Sequence, residues 1–235
     1  MISHHHKALY VHVPKCGGES IELAFLADLG LDWNQREQLL IRRNNDPQAG
    51  PRQLSHLSAK QYLELSYVTP EQFNQYYKFA TVRDPIARVV SFYNYLWDYY
   101  FWLLIRKHPH QFVPAALNKS FSINTFLYRV IATTFADDEG KRFGTRRYLN
   151  GYYYFLRPQA DYLFDKDRLL VDEYFRLEEI DRGWPRIRER CGLTGDLPRR
   201  NESRKLISKA DLSEKHIRTI RSLYAEDFEK LGYAA

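Results

Sequence analysis

The chain reads as an α/β protein, a central parallel sheet flanked by helices, and three features point to that class. The first is a strand-like run, Ala8 to Val13, that breaks at Pro14 before apolar residues resume at helical spacing from Ile21 to Leu29. The second repeats the arrangement. Tyr77 to Val82 is β-branched and aromatic, Arg83 stands at its carboxyl end, Asp84 can cap a helix, and Pro85 suits the first helical position, where its missing N–H costs nothing. The third is the stripe Ile217, Ile220, Leu223, Tyr224, Phe228 and Leu231, which predicts one amphipathic helix over Ser213 to Leu231 that closes the core.

Between these landmarks the periodicity predicts helices over Ser58 to Leu65, Ser122 to Phe135 and Gln159 to Phe164, then a strand over Val171 to Leu177. A further helix carries Ile180, Trp184, Ile187 and Cys191 on one face, with Pro185 blurring its start. The aromatic run Phe92 to Ile105 is too short to span a bilayer and includes Asn94 and Asp98, so it reads as a buried helix. Asn44 to Arg52 and Pro109 to Lys119 have the composition of mobile loops near an acceptor entrance.

At 235 residues the chain suits one domain, residues 1–235, and 44% hydrophobic residues exclude a disordered polymer. Its net charge of +6 gathers in local clusters such as Arg42-Arg43, Arg146-Arg147 and Arg199-Arg200, which favour anionic ligands. Cys16 and Cys191 alone give no disulfide framework, although one bridge between them stays open. Met1 to Lys7 contains no apolar leader, and His4 to His6 read as a tail feature, not a metal site. No His and Cys spacing elsewhere resembles a zinc site.

The chemistry concentrates in the two junctions. In Pro14-Lys15-Cys16-Gly17-Gly18-Glu19-Ser20, the glycines let backbone approach a ligand, Ser20 offers a hydroxyl, Lys15 a charge, and the next helix its first N–H groups. This is an anion cradle for phosphate or sulfate. The lysine precedes the glycines, the reverse of the nucleotide-hydrolase loop. Arg83 and Ser91 flank the second helix start. Ligands of parallel sheets bind beyond the carboxyl ends of the strands, so both turns should open on one side and grip a ligand with two anionic ends.

Taken together, Pro14 to Ser20 and Val82 to Tyr93 resemble the two cofactor-binding signatures of carbohydrate sulfotransferases that use 3'-phosphoadenosine 5'-phosphosulfate (PAPS). Ser55-His56-Leu57, Arg157 to Leu163, Val171 to Glu179 and Arg200 to Ser203 extend the resemblance along the chain. It implies a P-loop nucleotide-binding-like sulfotransferase fold, PAPS as donor and 3'-phosphoadenosine 5'-phosphate (PAP) as product. The 5'-phosphosulfate would lie on Lys15, Cys16, Gly17, Gly18, Glu19 and Ser20, the 3'-phosphate on Arg83 and Ser91, and Arg200 and Ser203 would approach the nucleotide. Cys16 and Glu19 depart from the threonines more usual there, and Glu19 must turn away or pair with a base to tolerate a sulfonate.

The resemblance also assigns roles. His56 is the candidate general base, Lys15 would stabilise the leaving phosphate, Glu19 and Glu22 are fallback bases, and no metal is required. The acceptor would be a hydroxyl of a carbohydrate or glycoconjugate, acidic by the tilt of the basic loops, with no nucleic acid partner. The lack of a leader implies a soluble bacterial-type cytoplasmic enzyme or a trimmed Golgi catalytic domain. Two other classes compete: a P-loop kinase-like phosphotransferase, disfavoured by the lysine order, and a non-catalytic polyanion-binding module.

Overall fold

The computed structural model describes residues 1–107, 122–127, 153–199 and 206–234. By its internal contacts the chain forms two compact units, residues 1–83 with 142–200 and residues 84–141 with 201–235.

The first unit is built on a four-stranded sheet. Strand β1 (Ile2–Ser3) turns back antiparallel onto β2 (Ala8–Val11), and β2 runs parallel to β3 (Tyr77–Val82). A short antiparallel pair, β4 (Phe164–Asp165) and β5 (Arg168–Leu169), precedes β6 (Glu173–Arg176), which completes the order β1-β2-β3-β6 by pairing parallel to β3. Every residue of β2 and β3 is buried, which explains why both read as continuous apolar runs and not as alternating ones. The parallel connection from β2 to β3 carries helices α1 (Gly18–Asp28), α2 (Ala59–Glu64) and α3 (Pro70–Gln75).

Local sequence explains where these helices start. Ser58 and Thr69 each accept the backbone N–H three residues on, while Gln61 and Gln72 reach back to the capping residue, two complete capping boxes. On one side of the sheet, Ile21 and Phe25 of α1 meet Tyr10, Phe79, Trp184 and Ile187, the last two from the Ile180–Cys191 helix. Pro185 lies within that helix. Each such buried side chain contributes about 1.5–3 kcal/mol.

The second unit begins with α4 (Pro85–Lys107), whose first turn is capped by Asp84 Oδ1 accepting the Ala87 N–H at 2.8 Å. Ile86, Val89, Phe92 and Leu96 of α4 are buried, as are Ile220, Tyr224 and Phe228 near the carboxyl end. Asn94 does not interrupt this core, because its amide donates to the Ile207 carbonyl at 2.9 Å and its oxygen accepts the Ile207 N–H at 3.2 Å. Among the described residues no helix is long and apolar enough to cross a membrane.

Three expectations change. The closing amphipathic stripe is two helices, Glu214–Leu223 and Ala225–Lys230, because the backbone leaves helical geometry at Tyr224 while keeping the same apolar residues inside. The histidines near the start are no tail: His4 Nδ1 meets Tyr76 Oη at 2.7 Å, and His6 Nε2 meets Asp28 Oδ2 at 3.0 Å, which fastens the β1–β2 turn to the end of α1. Asn44 to Arg52 is an organised turn, with the Asn44 amide donating to the carbonyls of Asp46 and Gly50 and an Arg43–Gln53 bridge at its base. Cys16 and Cys191 are free thiols, so no bridge joins them. The predicted helix over Ser122 to Phe135 is seen at Ile123–Thr125, and the rest of it, with Pro109 to Lys119, lies outside the described residues.

Asp28 also accepts the Thr194 N–H at 2.9 Å and hydroxyl at 2.8 Å. The His6 bond first, then the Thr194 N–H, hold its carboxyl down to about 2, against an ordinary 3.8. A depressed carboxylate stabilises the fold above its unfolded value and loses that contribution as pH falls through the folded one. Asp28→Ala is therefore expected to destabilise the protein by about 1–3 kcal/mol at pH 7. In chemical denaturation from pH 7 to 2, the gap between variant and parent should shrink below pH 4 and close near pH 2.

Candidate functional site

Two turns lie beyond the carboxyl ends of β2 and β3, and side chains from other segments hold both. The first begins as the chain leaves β2 at Val11. Lys15 adopts a left-handed backbone, φ 68°, at a cost of about 1–2 kcal/mol for a residue with a Cβ. Gly17 follows at φ 78° as the N-cap of α1 and offers no side-chain cap, which leaves the first N–H groups of the helix to face an anion. The glycines are dictated by space as well as by conformation. A Cβ on Gly17 would come within 2.5 Å of Leu177 Cδ1, and one on Gly18 would run into the His12 imidazole.

The second turn starts at Arg83, one residue past the last rung of the β3–β6 ladder, Val82 opposite Arg176. Gln159 supplies the next rung with its side chain. Its Oε1 accepts the Arg83 N–H at 2.9 Å, and its Nε2 donates to the Arg83 carbonyl at 2.8 Å. The same Oε1 accepts the Cys16 thiol at 3.2 Å, so one fully buried amide binds both turns. The Arg83 guanidinium in addition donates to the Lys15 carbonyl at 3.3 Å. The lysine turn and the arginine that begins the second turn are therefore neighbours.

The electrostatics suit an anion. Burial first, and the Arg83 guanidinium second, bring the Lys15 ammonium from 10.5 down to about 8. Glu19, half-buried in the first turn of α1, acts in the opposite sense on Lys15, and a carboxylate there is also favoured by the helix dipole. That gives this departure from the usual threonine a local reason. Cys16 is buried and donates its S–H to the Pro14 carbonyl at 3.6 Å as well as to Gln159, a structural thiol. Ser20 is half-buried on α1, its N–H bonded to the Gly17 carbonyl at 3.2 Å.

His56 ends a short turn, Leu54–His56, and is buried. Its Nδ1 lies 3.1 Å from the His12 carbonyl. A carbonyl only accepts, so Nδ1 carries the proton and Nε2 the lone pair in the neutral ring. Burial chiefly, and the His12 ring beside it, push the pKa of His56 well below the ordinary 6.5, so the ring is neutral at physiological pH. Of the fallback bases, Glu22 is almost fully buried and bonded through Oε1 to His12 Nδ1 at 2.7 Å.

Other predicted residues are placed less directly. Ser91 lies in the second turn of α4, buried, in the second unit. Arg200 and Ser203 fall outside the described residues. Arg199 is exposed and pairs with Asp181 at 3.0 Å. Arg157 is a scaffold residue: it donates to the Asp161 carbonyl at 2.8 Å and stacks over Tyr162. Gln159, His12 and Glu22 acquire structural roles that residue type does not announce. Among the described residues, no group of three His, Cys, Asp or Glu could hold a metal ion.

The residues present fit a phosphosulfate group: an ammonium, a guanidinium and an uncapped helix start meet at one turn, with space kept by two glycines. A profile described as "Sulfotransferase family" matches residues 1–234. No curated protein and no solved structure matches the chain. With a match over essentially its whole length, this chain belongs to the sulfotransferase family.

Proposed function

We propose that the protein transfers a sulfuryl group from PAPS to a hydroxyl of a carbohydrate or glycoconjugate, with His56 as general base and Lys15 stabilising the leaving phosphate. The observation that most supports this reading is the bond from the Arg83 guanidinium to the Lys15 carbonyl, which makes the lysine turn and the arginine at the end of β3 neighbours. Lys15 and the first N–H groups of α1 would hold the 5'-phosphosulfate, and Arg83 the 3'-phosphate. Arg83 can serve both partners because a guanidinium has five N–H donors and the Lys15 carbonyl occupies one. Bound there, the donor supplies an activated sulfuryl group.

The chain's own residues handle the proton and the charge. His56, held through Nδ1, would accept the hydroxyl proton at Nε2 as the acceptor attacks. Lys15 would meet the negative charge that develops on the departing phosphate, and its lowered proton affinity suits it to donate a proton there as well. The resemblance of the paired turns to carbohydrate sulfotransferases supports a sugar acceptor, and a panel of saccharides with labelled donor identifies it.

Ligand selectivity tests the donor. PAP at about 100 times its Kd should stabilise the protein by about 2.7 kcal/mol, a melting shift of about 5–11 °C, whereas ATP with magnesium should not. A response to ATP with magnesium alone would favour a phosphotransferase.

His56→Ala is expected to lower kcat by about 10²–10⁴-fold while the Kd for PAP, measured by calorimetry, changes little. Near-normal turnover would remove His56 from the chemistry.

The pH profile follows from the two shifted groups. The base form of His56 persists down to pH values below 6.5, so the acid limb of kcat/KM should lie beneath the ordinary histidine range. The charge of Lys15 is present below about 8 and lost above it, so the alkaline limb should fall near pH 8. In kcat that limb should move upward, since a bound anion raises the affinity of Lys15 for its proton.

A further inference from the structure

His12, the first residue beyond β2, touches three parts of the site. Its ring Nδ1 lies 2.7 Å from Glu22 Oε1 in α1, and both side chains are buried. Its imidazole fills the space into which a Cβ on Gly18 would project, with Nε2 and Cδ2 nearest that position, so the ring lies against the first residue of α1. Its main-chain carbonyl takes the His56 Nδ1–H at 3.1 Å, and the two rings meet edge to face with centroids 4.5 Å apart.

An apolar side chain could fill this volume without burying polar atoms, and replacing a buried polar pair by hydrocarbon of the same shape is often neutral or stabilising. Bulk alone therefore does not account for the pair. What a Glu22-bound imidazole adds is direction: the bond fixes the ring's rotation, and the fixed ring bears on Gly18 and on His56. The bond also joins the end of β2 to the second turn of α1, bracketing the turn from Lys15 to Ser20 on both sides.

We propose that His12, locked in orientation by Glu22, is a positioning residue that sets the depth of the anion-binding turn at Gly18 and the aim of His56 Nε2. This rests on the sulfuryl-transfer reading above. Without the lock the ring can rotate, Gly18 can settle inward, and the backbone donors and the base lose their common alignment. Small misplacements of that kind cost roughly 10- to 100-fold in rate.

The test uses the whole chain, calorimetry with PAP and steady-state kinetics with PAPS, each variant first checked for folding by circular dichroism. A parent protein that does not bind PAP overturns the sulfuryl-transfer reading itself, and this inference with it. If the parent binds, Glu22→Leu is expected to lose roughly 10- to 100-fold in kcat/KM, with Glu22→Gln, which still accepts the Nδ1–H, losing less. Gly18→Ala is expected to weaken PAP binding by a similar factor, and His12→Ser in that background to restore part of it by vacating the space. A folded Glu22→Leu with parental kcat/KM and Kd overturns the inference, as does a Gly18→Ala defect that His12→Ser leaves unchanged. Should Glu22→Leu fail to fold, the Gly18→Ala pair decides.

Discussion

Where a parallel sheet ends, its last backbone groups lose their partners, and in this protein buried side chains take over at those points. The β3–β6 ladder stops at Val82 and Arg176, and the Gln159 amide pairs with both the N–H and the carbonyl of Arg83 as another strand would. At the end of β2 the His12 carbonyl receives the His56 imidazole. A buried backbone group left unpaired costs about 1–3 kcal/mol, so these bonds are required by the fold before they serve any chemistry. Each also carries a functional group into position: Gln159 fixes the root of Arg83 and reaches Cys16, and the carbonyl of His12 selects the tautomer of His56.

That arrangement places the site's charges. Lys15 and Arg83 approach each other because the Lys15 carbonyl, turned by a left-handed backbone, accepts from the guanidinium. Two cations near a helix start make a turn that repels further positive charge and gains from an anion. The depressed proton affinity of Lys15 is the cost of this proximity and of burial, and it brings an amine into the range where it can both carry charge and give up a proton. Glu19 moderates the effect, its negative charge favouring the charged form of the lysine.

The steric side of the site is equally restrictive. Leu177 packs against Gly17 and the His12 ring against Gly18, so a Cβ at either position would have to displace a side chain already there. In the second unit polar groups are likewise enclosed by bonding: Asn94 closes a two-way pair with Ile207, and His216 Nε2 meets Asn124 Oδ1 at 2.7 Å. Buried polar groups satisfied in this way define one arrangement of the backbone around them.

Much of this was legible in the residues alone. The strand at Tyr77 to Val82, the Asp84 cap with Pro85 behind it, the capped start at Ser58 and the anion-binding composition of Lys15 to Ser20 are local patterns, and each depends on residues within a turn or two of one another. The break at Tyr224 was hidden because two successive helices can share one apolar stripe, and the anchoring of His4 and His6 was hidden because their partners, Tyr76 and Asp28, are remote in sequence. By itself, then, the order of residues determined which segments form strands and helices and which turn has the composition to favour an anion, because hydrogen bonding and side-chain period are short-range. Only the folded chain decided that Gln159 would clasp both turns, that Glu22 would bond His12, and that the His12 carbonyl would take the His56 Nδ1–H, because those outcomes depend on which unsatisfied group each buried polar atom meets once the sheet has closed.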